Sequence, residues 1–372
     1  VLQLIKCLGS GGAERLLVDM ARHRDRARFD YEAAYVLAAE DALVPELRDT
    51  GVPVHCLGAT SNTDLSWMRR LRALLVAGRF DVVHTHLPYT ATIGRLVVAS
   101  LPRGSRPAVV YTEHNMWDRM ALALKFLNRA TIGLDDRLVM VSEAARRSLP
   151  ARLRRRAVVV IHGVDLTAAH AAMAERDSLR SDVRRELGIL EGELLALTVA
   201  NLRIEKAYEI LLGAAALTAA GEVPVRFAAV GRGPVRDELI EIHRRLGLGE
   251  HFRFLGPRQD VWRLLAGADM FVLPSRHEGM PVAVMEATSM AVPLVLSAVG
   301  DLPQLFADGV DALMVAPEQP EALAGAITTL AGDDELRVLL SRASAARSGL
   351  FDVTSSTRTI EAIYDELVAA RR

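Results

Sequence analysis

Met270-Phe271-Val272-Leu273-Pro274-Ser275-Arg276-His277-Glu278-Gly279-Met280-Pro281-Val282-Ala283-Val284-Met285-Glu286 is the stretch whose reading decides the fold. A short apolar run, 270–273, gives way to a polar turn and then to a helical pattern opening on Pro281. Such a run bounded by turn residues is a strand buried on both faces. A proline whose φ is already helical suits a first helical position. Strand, loop and helix in immediate succession make half of a βαβ unit. Glu278 falls in the loop and Glu286 on the helix, with the Gly279-Met280-Pro281 turn between them. That turn bares backbone N–H groups able to hold a sugar or phosphate oxygen. Carboxylates suit vicinal diols, because they accept two hydrogen bonds in one plane.

The same alternation extends through the chain. In the first half, β-rich apolar runs stand at 1–6, 31–37, 54–57, 82–85, 109–112, 138–141 and 158–161. In the second half they stand at 195–199, 226–230, 252–255, 270–273, 293–296 and 312–315. Helical patterns of about 10–15 residues separate most of them, which predicts parallel sheets with helices on both faces. The series runs through once and starts again after a polar stretch at 165–193. With 372 residues, too many for one core, this predicts two domains, 1–165 and 166–352, and a closing amphipathic helix over 353–372. Ile360, Ile363, Tyr364 and Leu367 share one face of that helix. Ligands of such sheets sit beyond the carboxyl ends of the strands, so a cleft between the domains is the expected site.

Composition narrows the class. Hydrophobic residues make up 51% and charged residues 24%, the profile of a soluble globular chain. Cys7 and Cys56 are too few for a disulfide framework. No apolar run reaches the roughly 18 residues of a membrane span, and the opening 1–5 reads as a strand, not a leader peptide. A net charge of −1 does not mark a nucleic-acid binder. The halves differ, with 24 Lys+Arg against 17 Asp+Glu over 1–165 and 21 against 29 beyond. Solvated helix faces account for this, and so does an anionic neighbour such as a membrane surface at the basic first domain.

Four further motifs lie at or just after strand ends. Gly9-Ser10-Gly11-Gly12-Ala13-Glu14 follows the first. Its glycines permit close approach of a ligand to a helix N-terminus, and they serve helix–sheet packing equally well. His84, His86 and His114 end adjacent strand segments. The His-x-His pair lacks supporting carboxylate or Cys ligands, so His84 and His86 read as structural and His114 as a polar contact for substrate. Arg203 and Lys206 stand three apart at a helix start, placed to flank one diphosphate. Only three lysines occur among 45 basic residues, so Lys206 is poor surface filler. Gly231, in Gly231-Arg232-Gly233-Pro234, ends another strand and is expected to line a base pocket. No Asp-x-Asp clamp for a divalent metal occurs.

Together, the Glu278…Glu286 motif, the Arg203…Lys206 pair and the Gly11-Gly12-Ala13-Glu14 loop resemble family 4 of the GT-B glycosyltransferases. The match spans nearly the whole chain and is strongest from about 199 to 315. It implies an α/β GT-B fold: two Rossmann-like parallel-sheet domains facing across a cleft, the C-terminal helix crossing back to the first. It also implies retaining, metal-independent transfer from a nucleoside diphosphate sugar, a UDP-sugar foremost, with no further cofactor. By motif position Arg203 and Lys206 would hold the diphosphate, Glu278 the sugar and Glu286 the ribose. Gly231, Gly279, Met280 and Pro281 would complete the donor site. His114 would lie near the anomeric centre, and Gly11 and Gly12 would approach the phosphate. Ala207, His162 and Gln304 depart from the family's usual Gly or Asn, Asn and Glu.

The expected acceptor is a glycan, a lipid-linked molecule or a small molecule, with the enzyme in the cytoplasm or at the inner membrane face. Competing readings are a nucleotide-sugar epimerase on the same scaffold and a non-catalytic nucleotide-sugar or glycan-binding subunit. A NAD-linked dehydrogenase needs a Gly-x-Gly-x-x-Gly turn, which Gly11-Gly12 does not supply in phase.

Overall fold

A computed structural model describes residues 1–9, 11–114, 117, 120–219 and 221–371. Ser10 of the glycine turn, Asn115 and the terminal Arg372 lie outside the described residues. The chain divides into two compact units, Val1–Gly163 with Val353–Arg372, and Val164–Asp352.

The first unit holds β1 (Leu2–Ile5), β2 (Glu32–Leu37), β3 (Val54–Ala59), β4 (Val82–His86), β5 (Ala108–Glu113), β6 (Arg137–Met140) and β7 (Ala157–Val159). They form one sheet in the order β3-β2-β1-β4-β5-β6-β7, every pair parallel. The second unit holds β8 (Leu194–Val199), β9 (Val225–Val230), β10 (Phe252–Gly256), β11 (Met270–Leu273), β12 (Leu294–Ser297) and β13 (Leu313–Val315). Their order is β10-β9-β8-β11-β12-β13, again all parallel. Both sheets are Rossmann-like, and each apolar run read from the sequence is a strand, shifted only at its ends. β4 extends through His86, which makes both histidines of the His-x-His pair strand residues on one face.

Both faces of the first sheet are covered. On one, Ile5, Val18, Phe29 and Tyr31 pack with Ile360, Ile363 and Tyr364 of the C-terminal helix Val353–Ala369. On the other, Leu2, Leu4 and Val83 pack with Trp67, Leu71 and Leu75. The C-terminal helix is therefore a core element of the first unit. The second unit opens on a capped helix: Asp165 Oδ1 accepts from the N–H groups of Thr167 and Ala168 ahead of Leu166–Ala174. Gly188, left-handed at φ 65°, ends the following helix Arg176–Leu187.

In each sheet the winding reverses once, between β1 and β4 and between β8 and β11. Loops leaving those strands diverge and open a crevice at the carboxyl edge. The two strongest sequence motifs leave β8 and β11, which pair directly through Met270↔Ala196 and Phe271↔Leu197.

Candidate functional site

After β8, Arg203 caps a single 3-10 turn, Ile204–Lys206, in place of the α-helical start expected there. The α-helix Tyr208–Thr218 begins only beyond Ala207, which is fully buried and left-handed at φ 49°, ψ 44°. A Cβ in that region costs about 1–2 kcal/mol, a cost that the Gly implied at this position by the resemblance would avoid. The strained residue turns the chain sharply right after Lys206.

The loop after β11 meets that turn. Lys206 Nζ lies 2.5 Å from Glu278 Oε1, and the Ser275 hydroxyl donates to the same oxygen at 2.5 Å. Arg276 clasps the two loops. Its backbone N–H donates to the Glu205 carbonyl at 2.9 Å, and its guanidinium donates to the Ile204 carbonyl and to the carboxylates of Glu209 and Glu318. Glu278 is 8% exposed, so its charge is held by Lys206 and Ser275 and not by water. An ammonium has three N–H bonds. One is used here, leaving two for an anion. Arg203 is exposed and has no polar side-chain partner among the described residues. One cation oriented by a buried carboxylate and one unpaired guanidinium thus stand on a single turn.

Glycines let neighbouring loops close around this point. A Cβ on Gly231 would lie 1.9 Å from the Ala200 carbonyl oxygen, and one on Gly233 would lie 2.0 Å from that of Leu202. The β9 exit loop therefore lies against the β8 exit loop, and this close approach is what Gly231 makes possible. Gly300, at φ 61°, passes within 2.3 Å (from its would-be Cβ) of the Glu278 carbonyl oxygen. Pro281, expected as the first helical residue, is the cap at φ −74°, ψ 122°, and the helix Val282–Ser289 starts one residue later. Gly279 precedes the buried Met280, and Glu286 lies partly buried on that helix. Sequence reading assigned no site role to Ser275, Arg276 or Gly300. Their positions beside Glu278 and at a strand exit were the available signal.

In the first unit the glycine turn is partly filled from within. Gly11 caps the helix Gly12–His23, and a Cβ there would lie 2.3 Å from Glu14 Oε2. Glu14 is buried, and Cys7 Sγ donates to its Oε1 at 3.0 Å. Burial and then the Glu14 charge push the Cys7 thiol far up, so it remains protonated. Gly11 thus makes room for a carboxylate of its own helix.

The histidines form a cluster. His86 Nδ1 is 3.2 Å from His114 Nε2, and the His84 and His86 rings lie 4.3 Å apart. His162 stacks on His114 at 5.3 Å and 10°. Burial holds His84, His86 and His114 well below the usual imidazole range, and it holds His162 at about 4. All are neutral at pH 7. His84 contacts the side chains of Tyr364 and Thr112, and His86 that of Gln3. Leu87, between His86 and Pro88, sits at φ 69°, ψ 150°. Such an outlier costs of order 1–3 kcal/mol and is characteristic of functional edges. No group of three or more His, Cys, Asp or Glu arranged for a metal occurs among the described residues.

Residues 10–168 match the family described as Glycosyltransferase Family 4, and residues 180–347 the family described as Glycosyl transferases group 1. A D-inositol 3-phosphate glycosyltransferase of Salinispora arenicola is 26% identical, covering 97% of this chain and 88% of that protein. The UDP-Gal:alpha-D-GlcNAc-diphosphoundecaprenol alpha-1,3-galactosyltransferase of Escherichia coli is 24% identical over 88% of this chain and 86% of its own. Among solved structures, Anabaena HepE in complex with UDP-glucose superposes with a TM-score of 0.82 at 21% identity, covering 98% and 99% of the two chains. Two successive family matches, relatives that transfer sugars and two Rossmann-like sheets agree, and the chain belongs to the GT-B glycosyltransferases of family 4.

Proposed function

We propose that this glycosyltransferase takes a nucleoside diphosphate sugar as donor, a UDP-sugar foremost, and transfers the sugar with retention and without a metal. The observation that carries the reading is the Lys206–Glu278–Ser275 cluster at the second sheet's switch point, with Arg203 unpaired beside it. Arg203 and the two remaining Lys206 N–H bonds hold the diphosphate and stabilise the charge that develops on it. Glu278 orients Lys206 through Oε1 and offers Oε2 to the sugar. Glu286 takes the ribose diol, and the Gly279–Pro281 turn and Gly231 border the nucleotide. By motif position His114 is assigned to the anomeric centre, and Gly11 and Gly12 to the phosphate. The bond from the anomeric carbon to the phosphate oxygen breaks, and one to the acceptor hydroxyl oxygen forms on the same face. The hydroxyl proton passes to the departing phosphate. UDP-glucose in Anabaena HepE and UDP-Gal in the name of the E. coli relative support the donor class.

Lys206→Ala is expected to lower the transfer rate at least a hundredfold and to shrink the thermal shift given by a UDP-sugar. Near-normal turnover in this variant would reject the assignment. Product anomeric configuration by NMR tests retention, and full rate in chelator tests metal independence. Change of the donor sugar without any acceptor would favour an epimerase instead.

A lipid-linked acceptor, with peripheral membrane contact by the first unit, is proposed from the helix Leu122–Thr131. It exposes Leu122 by 85% and Phe126 by 72%, with Lys125 and Arg129 in the same turns, while Asn128 and Thr131 face inward. An apolar face edged by cations suits an anionic lipid surface. No helix among the described residues is long and apolar enough to cross a membrane. The chain is expected to sediment with phosphatidylglycerol vesicles, and Leu122→Ser/Phe126→Ser is expected to lose at least four-fifths of that binding (roughly 1 kcal/mol). Unchanged binding by the double variant would remove this surface from consideration.

A further inference from the structure

A chain of buried side chains runs from the C-terminal helix to His114. Gln3 Nε2 donates to the Tyr364 hydroxyl at 3.1 Å, and Gln3 Oε1 accepts from His86 Nε2 at 2.9 Å. Gln3, Tyr364, His84 and His86 are each at most 2% exposed, so water does not compete for these bonds. With the amide in this orientation, the protons from Gln3 to His114 have one order. His86 carries its hydrogen on Nε2, which leaves Nδ1 bare to accept from His114 Nε2–H at 3.2 Å. At the other end, with the Tyr364 hydroxyl donating to His84 Nδ1, 2.5 Å away, His84 Nε2–H is left to donate to Thr112 Oγ1 at 2.6 Å. Tyr364 is thereby an acceptor toward Gln3, which is what turns the amide oxygen to His86. Turning that amide over would reverse every proton down to His114.

We infer that Gln3 and Tyr364 are positioning residues that hold His114 as its Nε2–H tautomer, presenting a bare Nδ1 that accepts a hydrogen bond from a hydroxyl of the sugar or the acceptor. This rests on the reading of His114 as a catalytic residue. Neutrality of the histidines, caused by burial, keeps the tautomer the only variable. The C-terminal helix thus reaches the reaction through one phenol, although its residues follow the second unit in sequence.

Tyr364→Phe keeps the ring, which lies edge-on to Phe29 at 6.1 Å and to Tyr31 at 6.4 Å, and removes the hydroxyl. Gln3→Met keeps the bulk and removes the amide. With ring ¹⁵N-labelled histidine in the full chain, His114 is expected as Nε2–H in the parent and as a tautomer mixture in both variants. Their kcat is expected to fall about tenfold with donor KM unchanged, whereas a packing defect alone lowers the melting point and leaves the tautomer intact. A His114 that stays Nε2–H in both variants overturns the proposal. So does a mixed tautomer with full kcat where His114→Ala is inactive. If His114→Ala itself turns over normally, the catalytic reading of His114 fails, and the ¹⁵N shifts alone judge the hydrogen-bond chain.

Discussion

Unfolding of this protein in urea is expected to become steeply acid-sensitive below pH 6.5. His84, His86 and His162 are 0%, 2% and 7% exposed, and burial depresses all three pKa values, His162 to about 4. In the unfolded chain each takes up a proton near pH 6.5, while in the folded chain none does. The unfolded state therefore binds more protons over this range. The stability these groups contribute is fully present above pH 6.5 and is lost as pH falls toward their folded values. Each pH unit costs about 1.4 kcal/mol per group at the limit, and for His162 the cost from pH 7 to pH 5 is roughly 2 kcal/mol. Asp135 works in the opposite sense. Burial pushes it up to about 6, so the folded state gains its proton first and recovers roughly 1 kcal/mol. Glu361, also raised by burial, has the same sign. The histidine losses outweigh the carboxylate gains, and a net loss of this kind is large beside the marginal stability of a domain. Urea midpoints at pH 7.5, 6 and 5 should fall accordingly, and His162→Asn should make the decline shallower. A profile flat between pH 7 and pH 5 contradicts this account.

Loss of the Asp135 carboxylate is expected to destabilise the first unit by about 3–5 kcal/mol. The side chains of Arg95 and Asp135 are fully buried, with Arg95 Nε donating to Oδ1 at 2.7 Å and Nη2 in ionic contact with Oδ2 at 2.7 Å. Arg95 Nη1 donates to Asn128 Oδ1 at 2.5 Å and Thr131 Oγ1 at 3.1 Å, and the guanidinium lies 4.7 Å from the Tyr111 ring. Asp135→Ala leaves that cation without its counter-charge and without access to water. The double variant Arg95→Met/Asp135→Leu removes both charges and should recover most of the loss, because desolvation of an ion pair offsets much of its attraction. Denaturant melts of the single and double variants check this. A single variant within 1 kcal/mol of the parent, roughly the worth of a surface pair, would contradict it. The pair ties the helix Pro88–Ala99 to the chain just ahead of β6.

Alternation of strand and helix, two parallel sheets, the closing helix on Ile360, Ile363 and Tyr364, and the loops bearing Arg203, Lys206 and Glu278 were legible in the amino-acid order. Each depends on a period or a turn residue within a few positions of itself. Limits of this local reading show at Pro281, where the helix starts one residue late, and at Ile204–Lys206, where a 3-10 turn replaces an α-helix. What only the tertiary structure decided are pairings between distant residues. Lys206 meets Glu278 across 72 positions because β8 and β11 become neighbours at the point where the winding reverses. Gln3 meets Tyr364 across 361 positions because the final helix packs into the first core. Gly231 serves a close approach to the Ala200 carbonyl that no pattern around it announces. Backbone periodicity is a property of neighbours along the chain. The partner of a buried charge or amide is set by which elements pack together, and that is decided by the burial of the whole core.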